Sequence, residues 1–234
     1  MSKSTTEPFR VVCKLLDGRI DSADGLLFLD AILYHGWFVK HAPRVLTGEQ
    51  RIADAGFFGL PLRQLPGNRW AASCGFYRLY DTTVEYWTKK PKYSGLEGDK
   101  YFDLESGTGR INVKSGQQRA YRMPNIIRTV GDIEFFGYGT VEKVRDLLSY
   151  VPAVGKKPAE GWGMVREWVV EPIDKDWTTD GPYGLMRPMP LGEWGDGQGL
   201  DIRQCGIRPP YWKACNQDIC YVPEVVIGEP RTIS

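Results

Sequence analysis

Three groups of residues in this chain could do chemistry: a glycine and lysine loop, a pair of histidines, and a late set of cysteines. The loop is "VGKKPAEGWGMV" (Val154 to Val165), which contains Gly155, Lys156, Lys157, Gly161, Trp162 and Gly163. Glycines allow a backbone to approach a phosphate or a base closely, and lysines neutralise phosphate charge. A nucleotide-cradling loop reads G-x-x-x-x-G-K-[ST] and passes from strand into helix, so that helix N-terminal amides face the anion. Here Tyr150 stands at the first glycine position and Lys157 at the hydroxyl position, and the loop leaves a helical pattern for a strand pattern. That chemistry is excluded. An RNA-gripping loop or a plain connection remains. "GYGTVE" (Gly137 to Glu142) resembles the start of a dinucleotide fingerprint, but Glu142 replaces the third glycine. It reads as a tight turn before Thr140 caps a helix.

The second basic feature has one sign. Between Glu105 and Asp132 there is no acidic residue, while Arg110, Lys114, Arg119, Arg122 and Arg128 are present with Tyr121 among them. Lys89, Lys90 and Lys92 precede it beside Trp87 and Tyr93. Arginine pairs with phosphate through two parallel bonds, and aromatic rings stack on unpaired bases. The stretch reads as a basic hairpin suited to grip an RNA backbone, or as a solvated face.

His35 and His41 are the only histidines. Either could act as general base on a 2′-hydroxyl, with Tyr34, Lys40 or Arg44 as partners, or simply satisfy carbonyls at a helix end. Cys205, Cys215 and Cys220 are separated by nine and four residues. Three thiolates need a fourth ligand to close a structural zinc site, which Cys74 could supply only through the fold. Free thiols are the expectation, with no metal or cofactor.

Positioning these groups falls to a short series of elements. "FRVVCKLL" alternates Phe9, Val11, Cys13 and Leu15 against Arg10, Val12, Lys14 and Leu16, which predicts a buried first strand. "ADGLLFLDAILYHGWF" spaces Leu26, Leu29, Ile32, Leu33 and Trp37 as a helix, with Asp24 as its N-cap. Arg44 to Gly67 is broken by glycine and proline. "NRWAASCGFYRLY" and "TTVEYWTK", split at Asp81, predict a hairpin, and "DIEFFGYG" a further strand. Thr140 then caps "VEKVRDLLSYV", whose Val141, Val144, Leu147, Leu148 and Val151 form an apolar stripe that Pro152 ends. "GMVREWVVEPI" is the last strand. The order predicts an α+β fold, a ferredoxin-like (RRM-like) βαββαβ core over residues 1–173 with a long basic insertion at about 89–128. Residues 174–234 turn glycine-, proline- and tryptophan-rich, and predict an irregular extension packed on the core.

The net charge of +1 excludes a strong whole-molecule field, so any anion site must come from local clustering. No apolar run reaches the roughly 18 residues of a membrane span, and "MSKSTTEPF" has no secretory apolar core, so a cytoplasmic protein is expected. Five cysteines without framework spacing fit that expectation. Eight tryptophans and twelve tyrosines exceed what one core needs, and suit stacking surfaces or interfaces.

The first strand followed by "LFLDAIL", the long irregular middle, the second helix and "VGKKPAEGWGMVREWVVEPI" together resemble the RAMP superfamily of CRISPR-associated proteins. "LDAIL" and "VGKK…GWGMVREWVV" look most like its small, family-five-like subunit in type IV CRISPR effector complexes, which caps the 5′ handle of the guide RNA. The resemblance covers roughly the first 173 residues. It implies a non-catalytic, cofactor-free antiviral-defence subunit that grips the crRNA 5′ handle, contacts a filament-forming backbone subunit and a large subunit, and meets target DNA indirectly. It assigns the glycine-rich loop to Gly155, Lys156, Lys157, Gly161, Trp162 and Gly163, and a thumb-like insertion to part of residues 89–128. Pro158, Ala159 and Glu160 depart from the family's commoner glycine or arginine there. Two rivals stand beside it: a metal-independent endoribonuclease of repeat RNA using His35 or His41, and a protein-interaction module without RNA contact.

Overall fold

The alternation in the first strand is realised in β1 (Thr6–Leu15), where Phe9, Val11, Cys13 and Leu15 all face the core. The charged residues of the other face meet their cross-strand partners: Arg10 reaches Glu171, and Lys14 reaches Glu167 at 2.9 Å. The computed structural model describes residues 5–22, 25–57, 59–89, 121–195 and 197–228. The other strands are β2 (Arg19–Asp21), β3 (Gln64–Leu65), β4 (Arg69–Trp70), β5 (Leu79–Lys89), β6 (Tyr121–Val130), β7 (Ile133–Thr140), β8 (Val165–Pro172), β9 (Asp180–Gly181), β10 (Gly184–Leu185), β11 (Met189–Pro190), β12 (Asp201–Gly206) and β13 (Gln217–Val222). Three described α-helices accompany them, α1 (Leu29–His41), α2 (Pro43–Leu46) and α3 (Val141–Leu148). The protein is therefore mixed α+β, with strand predominating.

The central sheet has the order β7-β1-β8, antiparallel throughout. Residues 71–77 extend it beyond β7: Phe76 and Glu134 exchange two backbone bonds of 2.8 Å, and the Ser73 amide donates to the Phe136 carbonyl at 2.8 Å. α3 buries the predicted stripe of Val141, Val144, Leu147 and Leu148 against the sheet and α1. It ends at Leu148, with Val151 buried just beyond.

Three local expectations are corrected. α1 begins at Leu29 rather than near Asp24, which lies outside the described residues. Phe28 is held extended by its bridge to Cys74, and the Leu29 amide donates to the Ser73 carbonyl, so the helix cannot start sooner. No turn falls at Asp81. β5 runs continuously through it and pairs with β6, while residues 71–77 pair with β7. "YDTT" offers no glycine, proline or asparagine to make the turn. Finally, Gly137 and Gly139 lie inside β7 instead of turning; a side chain there would collide with the Phe9 ring and the Pro61 carbonyl.

Two compact units result: Met1–Thr82 with Arg128–Ser234, and Thr83–Ile127. In the first, the late segment contributes Met186, Val222 and Val225 to the core cluster. The Cys74 amide donates to Met186 and the Tyr77 amide to Val225, at 2.8 and 3.0 Å. β11, β13 and β12 form a separate sheet in that order. Among the described residues, no helix is long and apolar enough to cross a membrane.

Candidate nucleic-acid interface

The glycine-rich loop is a folded structure rather than a slack connection. The Lys156 amide donates to the Asp21 carbonyl at 2.7 Å, and the Gly163 amide to the Arg19 carbonyl at 2.6 Å, so both ends of the loop are bonded to β2. Gly155, at φ +80°, brings its backbone so close that a Cβ would lie 2.7 Å from the Asp21 oxygen. Gly163, at φ +69°, would place a Cβ on the Val154 carbonyl. These two glycines are required by the loop's own packing. Gly161 differs: at φ +84° it turns the chain with open space where a Cβ would be.

Between these anchors the side chains divide. Gly155 and Lys156 are exposed, Lys157 is half-buried with its backbone at φ 57°, and Trp162 is buried at 6% exposure. The Lys157 ammonium lies 6.0 Å from the Trp162 ring centroid. A stacking role for Trp162 is therefore corrected to a packing role, because its faces are covered.

The loop forms one wall of a cavity of about 840 Å³. Val154, Gly155, Lys156 and Pro158 line it together with Phe28, Ala31, Ile32 and His35 in and just before α1, with Arg203, Gln204, Cys205 and Gly206 of β12, and with Tyr211 and Trp212. Asp21 is the one carboxylate among the lining residues. Under the cavity, Tyr211 stacks on Phe28 with centroids 4.0 Å apart and donates its hydroxyl to the buried Asp30 at 2.6 Å. Burial raises the Asp30 carboxyl above the usual carboxylate range, against the opposing pull of Arg187 and of the Tyr211 hydroxyl. Burial, with Asp30 adding to it, also pushes the Tyr211 hydroxyl well up. Arg187 is fully buried, donating to the Ala72 and Ile207 carbonyls at 3.2 and 2.9 Å. This buried cluster holds the late segment against the beginning of α1.

The basic stretch is brought together only in part. Arg110, Lys114 and Arg119 lie outside the described residues. Arg122 lies over the Tyr86 ring, 3.7 Å from its centroid, and Tyr121 meets Trp87 edge-on at 5.1 Å. Tyr86 and Trp87 are about half exposed, so this unit presents cation and aromatic groups to solvent. Arg128 belongs to the other unit and is turned inward. Its guanidinium donates to the Ser22 carbonyl.

His35 is set in the cavity wall, where desolvation pushes its imidazolium below the ordinary value, and it has no hydrogen-bond partner among the described residues. His41 is exposed, 5.0 Å from the Trp37 ring. The partners expected for them are engaged elsewhere: Lys40 with Asp146 at 2.5 Å, Tyr34 against Phe38 and Phe57. None of the five cysteines is in a disulfide, and Cys74 is buried among core residues. Cys220 shares a hydrogen bond with Cys205, which with burial raises its thiol strongly. Among the described residues no cluster of three metal-ligating side chains occurs.

Sequence reasoning missed Arg203, Tyr211 and Trp212. The signal available was "PPYWK", an aromatic pair beside a lysine in a segment otherwise read only for its cysteines.

Residues 75–223 match the family model described as CRISPR type IV associated protein Csf3, well over half of the chain. No curated protein matches it.

Proposed function

Because the chain belongs to the Csf3 family of type IV CRISPR-associated proteins, which indicates a subunit of a type IV effector complex, we propose that it is the RNA-binding subunit that grips the 5′ handle of the guide RNA. The carrying observation is the glycine-rich loop: it is pinned to β2 at both ends, yet leaves Lys156 exposed at the rim of a cavity large enough for a nucleotide. Exposed Tyr86 and Trp87, with Arg122 between strands, add the stacking and charge that single-stranded RNA requires.

The fold supports the same reading. Residues 71–77, β7, β1 and β8 lie side by side and antiparallel, with α1 and α3 as the crossovers between them. This arrangement supports reading the core as a split βαβ, or ferredoxin-like, unit. In this reading the subunit caps a filament of backbone subunits beside the large subunit, is cytoplasmic, needs no cofactor, and meets target DNA only through the guide.

Guide-RNA retention tests it. Complexes carrying Lys156→Ala with Lys157→Ala are expected to hold less guide RNA, with a shallower salt dependence, by roughly 0.7 in log-log slope for each phosphate no longer neutralised. Unchanged RNA content would remove the loop from the interface. The non-catalytic assignment is supported by the lack, among the described residues, of a hydrogen bond to either imidazole, since a general base needs an orienting group. Repeat RNA incubated with the protein without metal should stay intact. Cleavage that disappears in His35→Ala or His41→Ala would replace this assignment with the endoribonuclease.

A further inference from the structure

The cavity beside the glycine-rich loop has a feature that the loop does not explain. Arg203, on β12, has a buried Nε without a hydrogen-bond partner among the described residues, and its guanidinium makes no ion pair there. A guanidinium on a cavity wall without an ion pair is a planar fork that suits an anion such as a phosphate. Lys156 lines the same cavity. At the mouth is Trp212, 72% exposed, with the Lys213 ammonium 5.9 Å from its ring centroid. An aromatic ring of this size left in water on a cavity that also carries a guanidinium and an ammonium is the combination that suits a nucleotide: a face for the base, a fork for the phosphate. The volume of about 840 Å³ accepts one nucleotide with its flanking phosphate.

We propose that this cavity is a pocket for a single splayed-out nucleotide of single-stranded RNA, its phosphate held between Arg203 and Lys156 and its base stacked on Trp212. The pocket is built largely by the late segment, which pairs with the start of α1 through Tyr211 and Asp30. Gln204, bonded through its amide nitrogen to Gln217 at 3.2 Å, keeps its carbonyl oxygen as an acceptor for a base edge. Asp21 also lines the cavity, and a carboxylate there would accept from a ribose 2′-hydroxyl and so favour RNA over DNA. The proposal rests on the RNA-binding reading and adds to it the site and the residues.

Fluorescence anisotropy with a fluorescein-labelled ten-nucleotide single-stranded RNA and the full chain tests it, together with crosslinking of the same RNA carrying 4-thiouridine. Trp212→Ala and Arg203→Ala should each weaken binding about tenfold. Arg203→Lys should recover only part, because the fork is lost. Crosslinks should map to the peptide containing Trp212, and the DNA of the same sequence should bind less tightly. Both residues lie at the cavity surface, so melting curves like the parent's are expected; Trp212→Phe keeps a ring should the alanine variant not fold. If RNA binds normally to all variants and crosslinks fall elsewhere, the pocket is overturned while the RNA-binding reading stands. If the unaltered chain and its complex bind no RNA, both fall. Protection of the pocket by a partner subunit, with no RNA crosslink there, would also overturn it.

Discussion

Asp30 shows how a single residue connects the helix start to the late segment. Its Oδ1 accepts from Tyr211 and the Ala31 amide, while its Oδ2 has no partner among the described residues. Removing the Tyr211 hydroxyl leaves a buried carboxyl short of a donor, so Tyr211→Phe should cost about 1–2 kcal/mol in denaturant unfolding. The raised Asp30 carboxyl also fixes the sign of a pH effect. The folded state holds this proton more tightly than the unfolded chain. Its contribution is therefore fully present below the unfolded carboxylate value of about 4 and is lost as pH rises through the folded one. Asp30→Asn should remove that decline, so that melting temperatures of the variant change less than the parent's between pH 4 and neutrality. A steeper decline in the variant would show that the carboxyl is stabilised as an anion. Neither Asp30 nor Tyr211 stands out in the sequence, because one sits inside an apolar helix pattern and the other nearly two hundred residues later.

At the scale of elements, the loop from Gly155 to Gly163 is held by β2. The two glycines at its ends should behave unlike the one in its middle. Gly163→Ala forces a side chain onto the Val154 carbonyl at positive φ, and should cost roughly 2–4 kcal/mol. Gly161→Ala meets open space and bears only the backbone cost, about 1 kcal/mol. Unfolding titrations of both variants check the contrast. Equal losses would mean that Gly163 does not pack against the Val154 carbonyl. Elements with strong periodicity are legible in the sequence: β1 from its alternation, α3 from its stripe, β8 from "VREWVV". What is not legible there depends on distant partners. The strand through Asp81 continues because β6 lies beside it, and residues 71–77 join the central sheet through scattered bridges that carry no local pattern. The loop's lysines are visible in its composition, whereas the burial of Trp162 follows from the tertiary fold.

For the whole molecule, a net charge of +1 means that RNA affinity must come from a few placed cations rather than a general field. Binding should therefore be moderate and saturable, with a salt slope set by the handful of groups named here, and not by the chain's total of basic residues. The acidic run from Glu171 to Asp201 is partly neutralised, as in Arg63 with Asp176 and Arg69 with Glu193, and among the described residues that line the cavity Asp21 is the one carboxylate. The proposed contact between this subunit and the 5′ handle of the guide RNA can be read from crosslinking mass spectrometry of the assembled type IV complex, carrying guide RNA with 4-thiouridine confined to the handle. Crosslinks are expected between handle nucleotides and peptides of this chain that include the loop from Gly155 to Gly163. A complex that retains full-length guide RNA, with handle crosslinks on other subunits and none on this chain, would contradict it.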